Sequence, residues 1–191
     1  VEQPMILVER VKGIMLSPSA EWAAIAREPY DAKSLYTDYM AILALIPATG
    51  AFVHAAFIGN ETMAGVVRLS VPASLACALY SYVLVLVIVY IAALITDWLA
   101  PRFGGQRDFG NALKLSIYCN TPYCLAGIFL MIPSLSFLVI LGLYGLYLFY
   151  LGAPVLMKTP RHRGVLYATM MFMIVFIVAL PLGSFQALFW M

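Results

Sequence analysis

Five long apolar runs, joined by short polar loops, constrain this chain more than any other feature. They cover residues 39–58, 71–95, 112–132, 135–157 and 166–190. A helix needs roughly 20 apolar residues to cross a hydrocarbon layer, so each run is long enough. Hydrophobic residues make up 64% of the chain and charged ones 10%, against about 45–50% and about 25% in soluble domains. A soluble domain of 191 residues has no interior large enough to hide that much apolar surface. The pattern predicts an all-α polytopic integral membrane protein. Its transmembrane domain is a five-helix bundle over residues 39–191, preceded by an arm over 1–38. Only Pro133 and Ser134 separate the third and fourth runs, which predicts a tight antiparallel hairpin.

The arm reads as two short helices. Over residues 5–15, Ile6, Leu7, Val11, Ile14 and Met15 recur at helical spacing, with Glu9, Arg10 and Lys12 away from most of them. This segment is too short and too charged to span, so it is expected to lie on the membrane surface. Ser17 then suits an N-cap, Pro18 the first helical position and Glu21 the first turn. The second helix carries Trp22 and Ile25 and should stop by Glu28, because Pro29 disfavours helix before it. Trp22 is expected at headgroup depth. The alternative is that both helices simply cap the bundle.

Lysines and arginines fall almost entirely on one side of such a bundle. The arm has Arg10, Lys12, Arg27 and Lys33; the loop after the second run leads to Arg102, Arg107 and Lys114. Lys158, Arg161 and Arg163 precede the fifth run, and only Arg68 lies on the other side. Positive loops stay inside, so the N-terminus is expected in the cytoplasm and the C-terminus, ending at Met191, outside. Residues 1–38 are too mixed in polarity to read as a cleaved signal peptide. Cys77, Cys119 and Cys124 lie in apolar segments without metal-ligand spacing, and read as small buried hydrophobes. No metal, cofactor or catalytic residue is expected. Asp108-Phe109-Gly110 lacks the loops that give such a triplet kinase meaning, and Asp108 reads as a helix N-cap. No hydrolase motif is present, and nucleic-acid binding is not expected from the few basic residues beside a membrane.

Two groups of residues are candidates for more than scaffolding. In the third run, Asn111, Lys114, Tyr118 and Thr121 share one helical stripe, with Asn120 and Pro122 beside it. Polar side chains are costly in hydrocarbon, so the stripe should face protein or a cavity. Asp38 opens the first run and Asp97 closes the second at similar depth, and either could pair with Lys114. Two readings stand: an ion pair that fixes helix register, or a substrate, proton or partner site at that mouth. Lys158, Arg161 and Arg163 form the second group, suited to anionic lipid headgroups. Elsewhere, Gly142, Gly145 and Gly152 allow close helix approach, and kinks are expected near Pro47, Pro122 and Pro154. His54 reads as a solvated interfacial side chain, with a proton relay as the lesser alternative.

The segment SPSAEWAAIAREP at residues 17–29, five spans, and GGQRDFGNALKLSIYCNTP at residues 104–122 together resemble bacterial members of the Yip (Ypt-interacting protein) domain family. The likeness runs from Leu7 to about residue 190, and the Tyr118-to-Pro122 element is its most recognisable piece. The resemblance implies a five-span protein with a cytosolic N-terminus; eukaryotic members act in vesicle traffic and bind Rab-type small GTPases and one another. Their acidic aromatic motif is not evident in residues 1–38, which counts against small-GTPase binding here. The expected role is a non-enzymatic organiser in a bacterial inner membrane, binding lipids, other membrane proteins or itself as a homo-oligomer. The competing reading is a small transporter or channel for an ion, solute or lipid, built on the polar stripe.

Overall fold

A computed structural model describes residues 7–62 and 65–186. The sequence expectations for Ile6, for the end of the fifth run and for the C-terminus lie outside those residues. The chain is almost wholly helical. Helices α1 (Leu7–Leu16) and α2 (Pro18–Ile25) form the arm. α3 (Ala32–Ile58) and α4 (Val71–Leu99) follow, joined at their far ends by an antiparallel hairpin of Asn60–Thr62 with Gly65–Val67. That small hairpin has no counterpart in the sequence expectations. α4 continues as a 3-10 turn over Ala100–Phe103.

The third and fourth runs are broken, for a local reason. α5 (Phe109–Cys119) ends at Asn120, and α6 (Thr121–Ala126) restarts with Pro122 in its first turn. Pro122 has no N–H to give to the carbonyl of Tyr118, so the ladder is interrupted there. A 3-10 segment, Gly127–Met131, completes the run; Ile132 is extended, and a second 3-10 segment, Pro133–Leu143, leads into α7 (Tyr144–Leu156). α8 (Arg161–Phe185) is again continuous. Among the described residues, three helices are therefore long and apolar enough to cross a membrane: Ala32–Ile58, Val71–Phe103 and Arg161–Phe185.

α5 is the axis of the packing. Every residue from Ala112 to Cys119 is buried, between α4 on one side and α7 on another. Close approach is made possible where backbones meet. A Cβ on Gly127 would stand 2.7 Å from Pro47 Cα, and one on Gly50 2.6 Å from the Gly127 carbonyl oxygen, so α3 touches the third run backbone to backbone. Gly145 does the same against the carbonyl of Cys119.

The arm does not float on the surface. Ile14, Trp22 and Ile25 are wholly buried, and α2 packs on α7. The Trp22 indole fills the space that a Cβ at Gly152 would take, only 2.7 Å away, instead of standing among headgroups. The ring packs against Tyr118 and the backbone at Gly152, and its large apolar area gains by that burial. The helices cap the bundle and are built into it.

Candidate functional site

The arm end of the bundle holds a cleft of about 740 Å³ between α1, α2, the start of α3 and α5. Arg10, Arg27, Glu28, Asp31, Asp38, Tyr39, Lys114 and Tyr118 supply its polar lining. Each is placed by a local device. A π-helical stretch over Leu35–Met40 widens the first turn of α3 and sets Asp38 at the mouth and Tyr39 inside. Asp108 caps α5, its carboxylate accepting from the Asn111 amide N–H at 3.0 Å, and so fixes where Lys114 and Tyr118 emerge.

Arg10 is the centre of the charge arrangement. It is 6% exposed, donates to Glu21 Oε1 at 2.6 Å and to Glu28 Oε1, and lies 5.6 Å from the centroid of the Tyr118 ring. Glu21 reaches it by crossing Gly13, where any Cβ would collide with the carboxylate. Burial works against the guanidinium's charge, but Tyr118, Glu28 and Glu21 outweigh it and hold its pKa above the usual value. The cation is therefore fixed in place with its charge compensated.

Lys114 is 3% exposed and points the same way. Its Nζ donates to the carbonyls of Ile25, at 3.2 Å, and Glu28, at 2.5 Å. Ile25 closes α2, so the ammonium sits at the negative end of that helix, sharing the Ile25 carbonyl with the Glu28 N–H and adding a donor to the Glu28 carbonyl just beyond it. Below it, Tyr118 meets Trp22 edge-on at 6.2 Å and Tyr39 at 4.9 Å, and the Tyr39 hydroxyl shares a hydrogen bond with Thr121 Oγ1 at 2.8 Å. A chain of polar contacts thus descends from the arm, along the cleft, into the helix bundle.

The residues singled out in the sequence divide accordingly. Lys114, Tyr118 and Asp38 line the cleft, and Thr121 joins through Tyr39. No ion pair links Lys114 to Asp38 or Asp97 among the described residues. Asp38 is exposed and accepts from the hydroxyls of Ser34, at 3.0 Å, and Thr37, at 2.6 Å. Asp97 lies away from the cleft, with one buried carboxylate oxygen that has no hydrogen-bond partner among the described residues. Asn111 donates back to Asp108 at 2.8 Å as part of the α5 cap. Asn120 faces another crevice, of about 450 Å³ and mostly apolar, together with Ser116, Cys119 and Tyr123; Pro122 is buried at the break. Lys158, on the loop before α8, and Arg161 and Arg163, in its first turn, are exposed. Among the described residues no group of His, Cys, Asp or Glu is placed to hold a metal ion.

Sequence reasoning missed Arg10, Glu21 and Glu28. A signal was present: Leu7, Arg10 and Ile14 share one face of α1, so the guanidinium sat on the apolar side, where a cation needs an internal partner.

With this geometry in view, comparison with known proteins becomes decisive. The Yip1 domain matches over residues 12–182, nearly the whole chain. The chain belongs to the Yip1 domain family. Among its relatives is the inner membrane protein YohC of Escherichia coli strain K12, 25% identical over 167 residues, covering 85% of this chain and 86% of that protein. YohC of Escherichia coli O6:H1, strain CFT073, matches to the same extent. No solved structure matches at a significant level. The matched region of this Yip1 domain takes in part of α1, all of α2 and the long helices through most of α8, so the cleft lies almost entirely inside it.

Proposed function

We propose that this Yip1-family membrane protein is a non-enzymatic organiser that binds other membrane proteins or lipids. It would reside in a bacterial inner membrane, cross it five times, and keep its N-terminus in the cytoplasm and its C-terminus outside. On this reading residues 1–38 are a docked arm and residues 39–191 the transmembrane domain. The two broken runs count as spans because each still carries a continuous apolar stretch, and backbone breaks are tolerated in a bundle where neighbouring helices can satisfy the freed groups.

One observation carries the organiser reading. Three polar side chains of the third run have partners inside the protein: Lys114 on two carbonyls of the arm, Thr121 on Tyr39, and Tyr118 against Arg10. They tie helices together, which supports a role in holding and presenting a bundle. The membrane location of YohC supports the compartment. Cross-linking followed by co-purification from native membranes tests the proposal. The expected result is a reproducible set of partner proteins, copies of this chain included. A protein that is always recovered alone would count heavily against it.

The transporter reading draws on the cleft of about 740 Å³ and its mixed charges. Flux into proteoliposomes, compared between the native chain and Lys114→Ala, separates the two. The organiser reading expects no flux of any tested ion or solute and reduced stability in the variant. Flux that disappears in a variant of undiminished stability would favour transport.

A further inference from the structure

The two loops at the arm end, far apart in sequence, form a single surface. The Gln106 amide donates to the Met157 carbonyl at 2.8 Å. A Cβ on Gly105 would stand 2.7 Å from that same carbonyl oxygen and 2.6 Å from Thr159 Cγ2, so only glycine lets the strands of chain touch. Gly104, at φ 79°, turns in the left-handed region and lies beside Pro160 and the guanidinium of Arg163. The result places Arg102 and Arg107 on one face with Lys158, Arg161 and Arg163. All five are exposed. Among the described residues none of them pairs with a carboxylate; the ion pairs there are those of Arg10.

The depth of this face is marked. The Arg102 guanidinium stacks 3.5 Å from the ring centroid of Trp98, which is 48% exposed in the last turn of α4. An indole at the end of a membrane-spanning helix sits at headgroup level, and its cation partner sits just above it, among phosphates. Guanidinium groups match phosphodiester oxygens in a planar fork, which suits them to this role better than lysine would be.

We propose that this composite face binds the phosphodiester headgroups of anionic glycerophospholipids. It deepens the lipid-binding part of the organiser reading above, and it adds Arg102 and Arg107 to a patch that the sequence confined to the loop before α8. Each cation near an anionic surface contributes about fivefold to binding.

The test uses the full chain in a neutral detergent, titrated with phosphatidylglycerol, phosphatidylcholine or inorganic phosphate, with bound lipid read by native mass spectrometry. Phosphatidylglycerol should be retained and phosphatidylcholine not. Arg102→Gln and Arg161→Gln should each weaken retention about fivefold and together about 25-fold, with an unchanged thermal melt. Raising salt should weaken retention by the native chain, a result that needs no variant to fold. Equal retention of the two lipids, or undiminished retention by the folded double variant, would overturn the proposal. So would displacement of the lipid by an equal concentration of inorganic phosphate, which would assign the face to a free anion. Protein partners that persist in cross-linking while lipid selectivity is absent would refute this inference and leave the organiser reading standing.

Discussion

Two clusters of cations sit at the same end of the molecule and obey opposite rules. Around the cleft, Arg10 and Lys114 are buried and each has its charge answered by the protein, through two carboxylates in one case and two backbone carbonyls in the other. On the composite face, Arg102, Arg107, Lys158, Arg161 and Arg163 are exposed and no carboxylate answers them among the described residues, Lys158 alone reaching a carbonyl, that of Val155 at 3.2 Å. Burial explains the difference. A desolvated cation without a partner would cost several kcal/mol, so the cleft must be self-sufficient. A wet cation costs almost nothing to leave open, so the loops can address something outside the chain. Internal charges here build the structure; external ones choose its surroundings.

That contrast can be broken or sharpened by substitution. Arg10→Ala should have the largest effect, about 3 kcal/mol of stability, because the Glu21 and Glu28 carboxylates would then lose their shared cation. A thermal melt of the purified protein checks it, and a loss no greater than that of a loop arginine would break the comparison. Lys114→Met keeps the bulk and removes the donor; about 2 kcal/mol should be lost as the Glu28 carbonyl loses this donor and the Ile25 carbonyl keeps only the Glu28 N–H. Gly152→Val should cost about 2 kcal/mol by driving a side chain into Trp22 and Leu115, which separates α2 from α7; a fall in helix content or melting temperature would register it. Tyr39→Phe deletes one buried hydroxyl contact with Thr121 and should cost about 1 kcal/mol in the same melt. Arg107→Gln should leave stability within about 0.5 kcal/mol and change only lipid selectivity.

Much of the fold could be read from the residues, because apolar length and polar loops report directly on membrane helices. Asp108 at the N-cap of α5 and the break at Pro122 were legible for the same local reason. The 3-10 segments Gly127–Met131 and Pro133–Leu143 were not; the first begins where Gly127 meets the backbone of α3 at Pro47 and Gly50, a contact with no local signature. In the candidate site, the inward direction of Lys114, Tyr118 and Thr121 followed from the cost of polar groups in hydrocarbon. Their partners did not follow. Depth alone suggested Asp38 and Asp97 for Lys114, whereas the fold supplies carbonyls from the end of α2. Backbone acceptors leave no trace in side-chain chemistry, and a contact across 86 residues of sequence has no local signature. The merging of the loops around Gly105 and Met157 was hidden in the same way.

The central claim is that the polar stripe of the third run holds the arm in the bundle. Trypsin cleavage after Arg10 and Lys12, both inside α1, measures how often the arm lets go. In detergent-purified protein, Lys114→Met should raise the cleavage rate roughly thirtyfold over the native chain, the kinetic counterpart of about 2 kcal/mol of local stability. Equal cleavage rates in the two proteins would contradict the account.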